Sequence, residues 1–158
     1  MRNILVAFLI GVGPIAQAQT MVLAPKPVPL DDLNSVFNGA VKFKLNGKGQ
    51  LIADHFDATG RFRQDVMLVE HLDPASVAWS AEENAIVVKC GASDPQCIDK
   101  EIFKLGSIKH TGRSNMAFDG DEHQRQQAVE VLRNVLLQEQ QNLAELDRAT
   151  HGSTSRKN

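Results

Sequence analysis

The sequence predicts a mainly β domain of the α+β class: an antiparallel six- or seven-stranded bent barrel or sandwich with one carboxy-terminal amphipathic helix packed on it. Three observations predict it. Between Val41 and Phe118, short apolar runs are separated by turn residues every ~8–12 positions, the spacing of an all-β sandwich or barrel. The clearest helical period comes after them, over Asp119–Leu137. An antiparallel sheet with one apolar face, covered by one terminal helix, is a stable two-layer arrangement.

The chain begins with a segment that reads as a secretory signal peptide, residues 1–18. Arg2 supplies the positive start, Ile4–Ile10 and Val12–Ile15 a short apolar run, and Ala16-Gln17-Ala18 an A-x-A cleavage site. The run is shorter than the ~20 residues of a membrane span and is broken by Gly11, Gly13 and Pro14. Cleavage after Ala18 predicts an exported protein, periplasmic or secreted, with no integral membrane segment in the mature chain. Residues 19–30 hold Pro25, Pro27 and Pro29 and read as a tether, because each proline removes a backbone donor and favours extended neighbours. A single globular domain is expected over residues 31–146, followed by a disordered tail over 147–158.

Within the domain, Asp31–Phe37 predicts a short helix capped by Asp31 or Asp32 and stopped by a left-handed turn at Asn38-Gly39, with Leu33, Val36 and Phe37 facing the body. Val41, Phe43 and Leu45 alternate with Lys42 and Lys44, a half-buried strand. Asn46-Gly47-Lys48-Gly49 predicts a hairpin, with the positive φ assigned to Asn-Gly. Leu51–Phe56 is the return strand and Arg61–Val69 the next. His71–Ala75 reads as a loop broken by Pro74. Val77–Ser80 and Ala85–Cys90 form a hairpin, Cys97–Lys104 a further strand, Leu105–Asn115 a turn and loop, and Asn115–Phe118 a last short strand. The closing helix carries Ala128, Val131, Leu132 and Val135 on one face, widened by Leu136. Asp119 and Glu122 fit a capping box, and the helix is expected to fray near Asp147.

Cys90 and Cys97 flank Gly-Ala-Ser-Asp-Pro-Gln, a turn-forming stretch. In an exported chain this predicts one structural disulfide. Their spacing is not the C-x-x-C of redox sites, and no histidine lies beside them to complete a zinc site.

The order of strands and helix resembles the pleckstrin-homology-like superfold, in which a bent barrel has one open end plugged by a carboxy-terminal helix. The resemblance covers roughly residues 41–137 and rests on element order alone, without a family motif. Phosphoinositide-binding members carry basic residues around the first hairpin. Lys42, Lys44, Lys48, Arg61 and Arg63 lie in that region here and form a candidate binding surface, but export removes the usual lipid partner.

The chemistry is otherwise sparse. A formal net charge of −2 and the absence of tyrosine give neither the electrostatic footprint nor the stacking platform of a nucleic-acid binder. Asp54-His55-Phe56-Asp57 brings carboxylates and an imidazole together, with His55 and Asp57 on one strand face and Asp54 on the other. A metal site would need His71 or Asp73 to join them. The acidic run Asp119–His123 lacks the frame of a calcium loop, and no G-x-S-x-G, Walker or H-E-x-x-H motif is present. No catalytic residue, cofactor or metal is therefore assigned. Trp79 shares a strand face with Val77 and reads as core, or as the wall of an apolar cavity inside a barrel.

Three functions are compatible with these residues. The favoured one is a small exported non-enzymatic domain that binds a protein or a cell-envelope component. The second is a carrier of a small lipid-like ligand beside Trp79. The third is a metal-dependent hydrolase built on His55, Asp57 and His71.

Overall fold

The computed structural model describes residues 26–152. The leader expected at 1–18, its cleavage site and most of the tether lie outside the described residues, as do residues 153–158. The described chain is mainly antiparallel β with a long helix packed on it at its carboxy-terminal end. Helix α1 (Leu30–Val36) precedes strands β1 (Val41–Leu45), β2 (Gln50–Asp57), β3 (Gly60–Leu68), β4 (Leu72–Ser80), β5 (Ala85–Cys90), β6 (Ile98–Ile102), β7 (Ser107–Thr111) and β8 (Arg113–Ala117), and helix α2 (Glu122–Gly152) ends it. Eight strands replace the expected six or seven. They form two sheets that do not close into one barrel, β1-β2-β3-β6-β7 and β4-β5-β8.

The alternation in β1 holds: Val41 and Phe43 are buried while Lys42 and Lys44 are exposed. Leu51, Ala53, Met67 and Ile98 continue the same inner face across β2, β3 and β6. Helix α2 brings Ala128, Leu132, Val135 and Leu136 onto the core, with Val131 half-buried beside them. Phe37 at the end of α1 makes edge-to-face contacts with Phe43 and Phe118, at 4.9 and 5.3 Å between centroids. Leu33, Phe37 and half-buried Val36 thus fasten α1 to the body.

Several local expectations are corrected. Residues 107–111 form β7 rather than a loop, and residues 72–76 belong to β4 rather than to a connection. Pro74 is accommodated because β4 lies at a sheet edge and its pairing with β5 shifts between Asp73 and Ala78, so the missing N–H breaks no ladder. The capping box belongs to Asp121 and Gln124, not to Asp119 and Glu122. The Gln124 N–H donates to Asp121 Oδ1 (2.8 Å), and the Asp121 N–H donates to Gln124 Oε1 (2.9 Å).

At α1, the residue before the helix is Pro29, and neither Asp31 nor Asp32 caps the first turn by a side-chain bond. The left-handed stop does fall on Asn38 (φ 46°) and Gly39 (φ 83°). In the first hairpin the positive φ is on Gly49 (69°), not on Asn46-Gly47. Asn46 organises that turn through its side chain, which accepts from the N–H of Lys48 and of Gln50.

Helix α2 continues past Asp147, through Gly152. The tether is docked where it is described. The Lys26 N–H donates to Asn142 Oδ1 (3.2 Å), Asn142 Nδ2 donates to the Lys26 carbonyl (3.0 Å), and Val28 packs against the core. Cys90 and Cys97 form the expected disulfide, joining the end of β5 to the residue before β6 with 5.8 Å between the Cα atoms. Among the described residues, no helix is long and apolar enough to cross a membrane.

Candidate functional site

The five basic residues of the first strands do not form one surface. Lys42, Lys44 and Arg61 share the outer face around Asp54, and strand alternation turns only Arg63 away from it. Lys42 extends over the Phe56 ring, and Lys48 is exposed in the hairpin turn. Lys44 and Arg61 both reach Asp54, at 2.9 and 3.1 Å, and Gln64 donates to the same carboxylate. The Asp54 side chain keeps only 3% of its surface, whereas Lys44 keeps 64% and Arg61 45%. Burial raises the Asp54 pKa, but Gln64, Lys44 and Arg61 outweigh it and hold the carboxyl below its ordinary value. Arg63 points to the opposite, inner face.

That inner face holds the most unusual chemistry of the molecule, a buried polar cluster between the two sheets. Asp65 of β3 is fully buried. Arg63 Nε lies 3.0 Å from Asp65 Oδ1 without hydrogen-bond alignment, so the contact is chiefly electrostatic. His55 Nε2 lies 3.4 Å from Asp65 Oδ2, and the Ser114 hydroxyl donates to that oxygen at 2.5 Å. Arg63 reaches across to β8, where it donates to the side-chain and backbone oxygens of Asn115. Asn115 and Arg113 both donate to Glu83, which sits in the turn between β4 and β5. The cluster therefore ties β2 and β3 to β8 and to the β4–β5 turn.

Its protonation follows from burial. Desolvation pushes the His55 pKa down, Asp65 opposes the shift, and Arg63 and Lys100 reinforce it, so the imidazole is neutral at pH 7. Burial raises the Asp65 pKa, but His55, Arg63 and Ser114 outweigh it and keep it ionised. The order of contacts matters for chemistry. The Ser114 hydroxyl donates to the carboxylate and not to the imidazole, so His55 is not placed as the base that would activate it.

His55, Asp57 and His71 are not brought together as one site. A bulge between His55 and Phe56 interrupts the strand alternation, Asp57 is exposed and accepts from Thr59, and His71 pairs with Ser93. Among the described residues, no group of three or more His, Cys, Asp or Glu side chains is placed to hold a metal ion.

Trp79 lines an external groove of about 630 Å³ between β4 and α2 rather than a space inside a barrel. Its ring is half-buried, and the Arg125 guanidinium lies 4.3 Å from its centroid. Glu122, Gln126, Val129, Glu130 and Arg133 complete the lining.

The sheet edges differ in how they are finished. Asn34 of α1 acts as a substitute strand for β1, donating to the Phe43 carbonyl (3.1 Å) and accepting from its N–H (2.7 Å). Arg133 of α2 donates to the carbonyls of Pro74 and Val77 in the bulged β4. Arg63 covers the Asn115 carbonyl of β8. Strand β7 is the outer strand of its sheet, yet among the described residues no side-chain hydrogen bond reaches the backbone of residues 107–110. Beside this edge Leu105 is 64% and Ile108 60% exposed, with exposed Lys104 before and Lys109 after them. Sequence reasoning passed over this edge because a strand exposed on both faces has no apolar alternation. Its only signal was the pair of isolated apolar residues in a polar stretch.

No protein-family model, no characterised protein sequence and no solved structure matches this chain.

Proposed function

We propose that this chain is a small exported, non-enzymatic domain that binds a partner protein, taking an extended acidic segment of that partner as an additional strand on β7. The observation that carries the reading is the edge of β7: among the described residues no side chain hydrogen-bonds the backbone of residues 107–110, whereas the outer strands β1, β4 and β8 each take at least one such bond. Unpaired edge N–H and C=O groups are a template for strand addition, and natural edges are ordinarily blunted. Ile108 and Leu105 offer apolar anchorage, and Lys104 and Lys109 select for negative charge. Export rests on the leader at 1–18 and is supported by the disulfide, which persists in oxidising compartments. A likeness to the pleckstrin-homology-like superfold is part of this reading at the level of element order alone, supported by a carboxy-terminal helix that packs on β4 of an antiparallel body.

The test is amide hydrogen exchange and chemical-shift mapping with synthetic extended peptides in which Glu alternates with Val or Leu. Binding should slow exchange of outward amides in residues 107–111, fail for a Lys-for-Glu peptide, and be lost in Ile108→Pro. Peptides that leave β7 unchanged, or bind Ile108→Pro equally, would overturn the proposal. So would a concentration-dependent dimer abolished by Ile108→Pro, because a second copy would then occupy the edge.

A further inference from the structure

The mouth between the two sheets holds more positive than negative charge. Strand pairing places Lys100 of β6 between Asp65 of β3 and Lys109 of β7, on the face that carries the polar cluster. Arg63 and Arg113 approach the same region, and the Lys100 ammonium senses both, together with Asp65 and Glu83. The two carboxylates are already engaged. Asp65 is held by Arg63, His55 and Ser114, and Glu83 by Arg113 and Asn115. Four cations therefore face two anions, with His55 neutral. Lys100 is half-buried, and among the described residues no carboxylate lies within ion-pair distance of its ammonium. Two lysines directly opposed across strands repel, and a half-buried ammonium without a partner is costly. Both costs are relieved by one bound anion.

We infer that this mouth is a binding site for a small oxyanion, such as phosphate, sulfate or a compact carboxylate, held by Lys100 with Lys109 and Arg113. The site shares Lys109 with the strand proposed on β7, so it is tested with inorganic anions and no peptide present, and Lys100, which that strand does not use, decides it. An ammonium is a compact point charge with three donors, suited to an oxyanion that enters from solvent. Burial lowers the Lys100 pKa, Asp65 opposes the shift, Arg63 and Arg113 add to it, and the net direction is down. A bound anion would reverse that direction, which gives the site a spectroscopic signature.

The test compares inorganic phosphate and sulfate with chloride at equal ionic strength on the whole mature domain. Thermal melts and ¹³Cε NMR titration of the lysines are read in parallel. The expected result is a saturable rise in Tm and an upward shift of the Lys100 titration, both lost in Lys100→Gln, weakened in Lys109→Gln and kept in Lys48→Gln. Equal responses in wild type and Lys100→Gln, or no saturable response to either oxyanion, would overturn the site. Should Lys100→Gln fail to fold, the Lys100 titration in the wild-type protein decides. An unmoved Lys100 signal at saturating phosphate refutes the inference.

Discussion

Asp65→Asn separates charge from shape at the centre of the polar cluster. Asparagine keeps an oxygen near Ser114 and His55 but removes the charge that balances Arg63. At the 3.0 Å separation of Arg63 Nε and Asp65 Oδ1, an effective dielectric of ~20 gives a gross attraction of roughly 5–6 kcal/mol. The desolvation already spent on both groups offsets part of it. Removing one partner of a buried pair leaves the other charge stranded and costs about 3–5 kcal/mol. The Arg63 side chain keeps 13% of its surface, so water relieves it partly, and the lower half of that range applies. For a domain of this size the melting temperature should fall by roughly 10–15 °C. Lys44→Ala is the contrast. Its ammonium is largely in solvent and Asp54 retains Arg61 and Gln64, so the loss should stay within about 1 kcal/mol. Urea unfolding of both variants measures the difference. If Asp65→Asn is no worse than Lys44→Ala, the cluster is not held by the buried charge and the electrostatic account of it is wrong.

Replacing both cysteines with serine should cost about 2.5 kcal/mol by the chain-entropy estimate for so short a loop, read as a lower urea midpoint for the variant than for the non-reduced wild type. An unchanged midpoint would show that the loop is ordered without its crosslink. Acidification should destabilise the fold in two stages. The unfolded His55 binds a proton near its ordinary pKa of ~6.5 and the folded one only at lower pH, so stability falls as pH drops below ~6.5. Asp65 and Asp54, held below the ordinary aspartate value, add stability above ~3.9 that is lost as pH falls further. His55→Gln should flatten the first stage when urea midpoints are followed against pH, and an unaltered slope would place the titrating group elsewhere.

The elements that could be read from the sequence are those whose signal is local. Val41 and Phe43 alternate with lysines, Ala128 to Leu136 keep a helical period, and Cys90 and Cys97 flank a turn, so each announces itself within a few residues. Strand β7 does not, because burial on neither face leaves Ser-Ile-Lys-His-Thr without a pattern. The capping box slipped because Asp119 and Asp121 both precede the helix with plausible partners three residues on, and only the observed chain path selects Asp121. The candidate cluster was illegible for a different reason. Asp65 meets Ser114 from 49 positions away, and Arg63 meets Asn115 from 52. One clue was present: Asp65 falls on the same side of its strand as Met67, an apolar position holding a carboxylate, and such a position requires buried partners. His55 was noticed, but its bulge and its true neighbours depend on tertiary pairing.

The attachment of α2 bears on the order in which the chain can fold. Arg133 covers the carbonyls of Pro74 and Val77, Gln140 donates to those of Val69 and Leu72, and Asn142 holds residue 26. The last described element thus fastens both the middle of the fold and its first described residue. Until it arrives, the apolar floor beneath Leu132 and Leu136 is open, and contacts across more than a hundred residues are unmade. Such long-range closure is slow and comes late. The described body therefore cannot close until α2 has been made, and a chain halted before Leu132 should expose the apolar face that this helix covers.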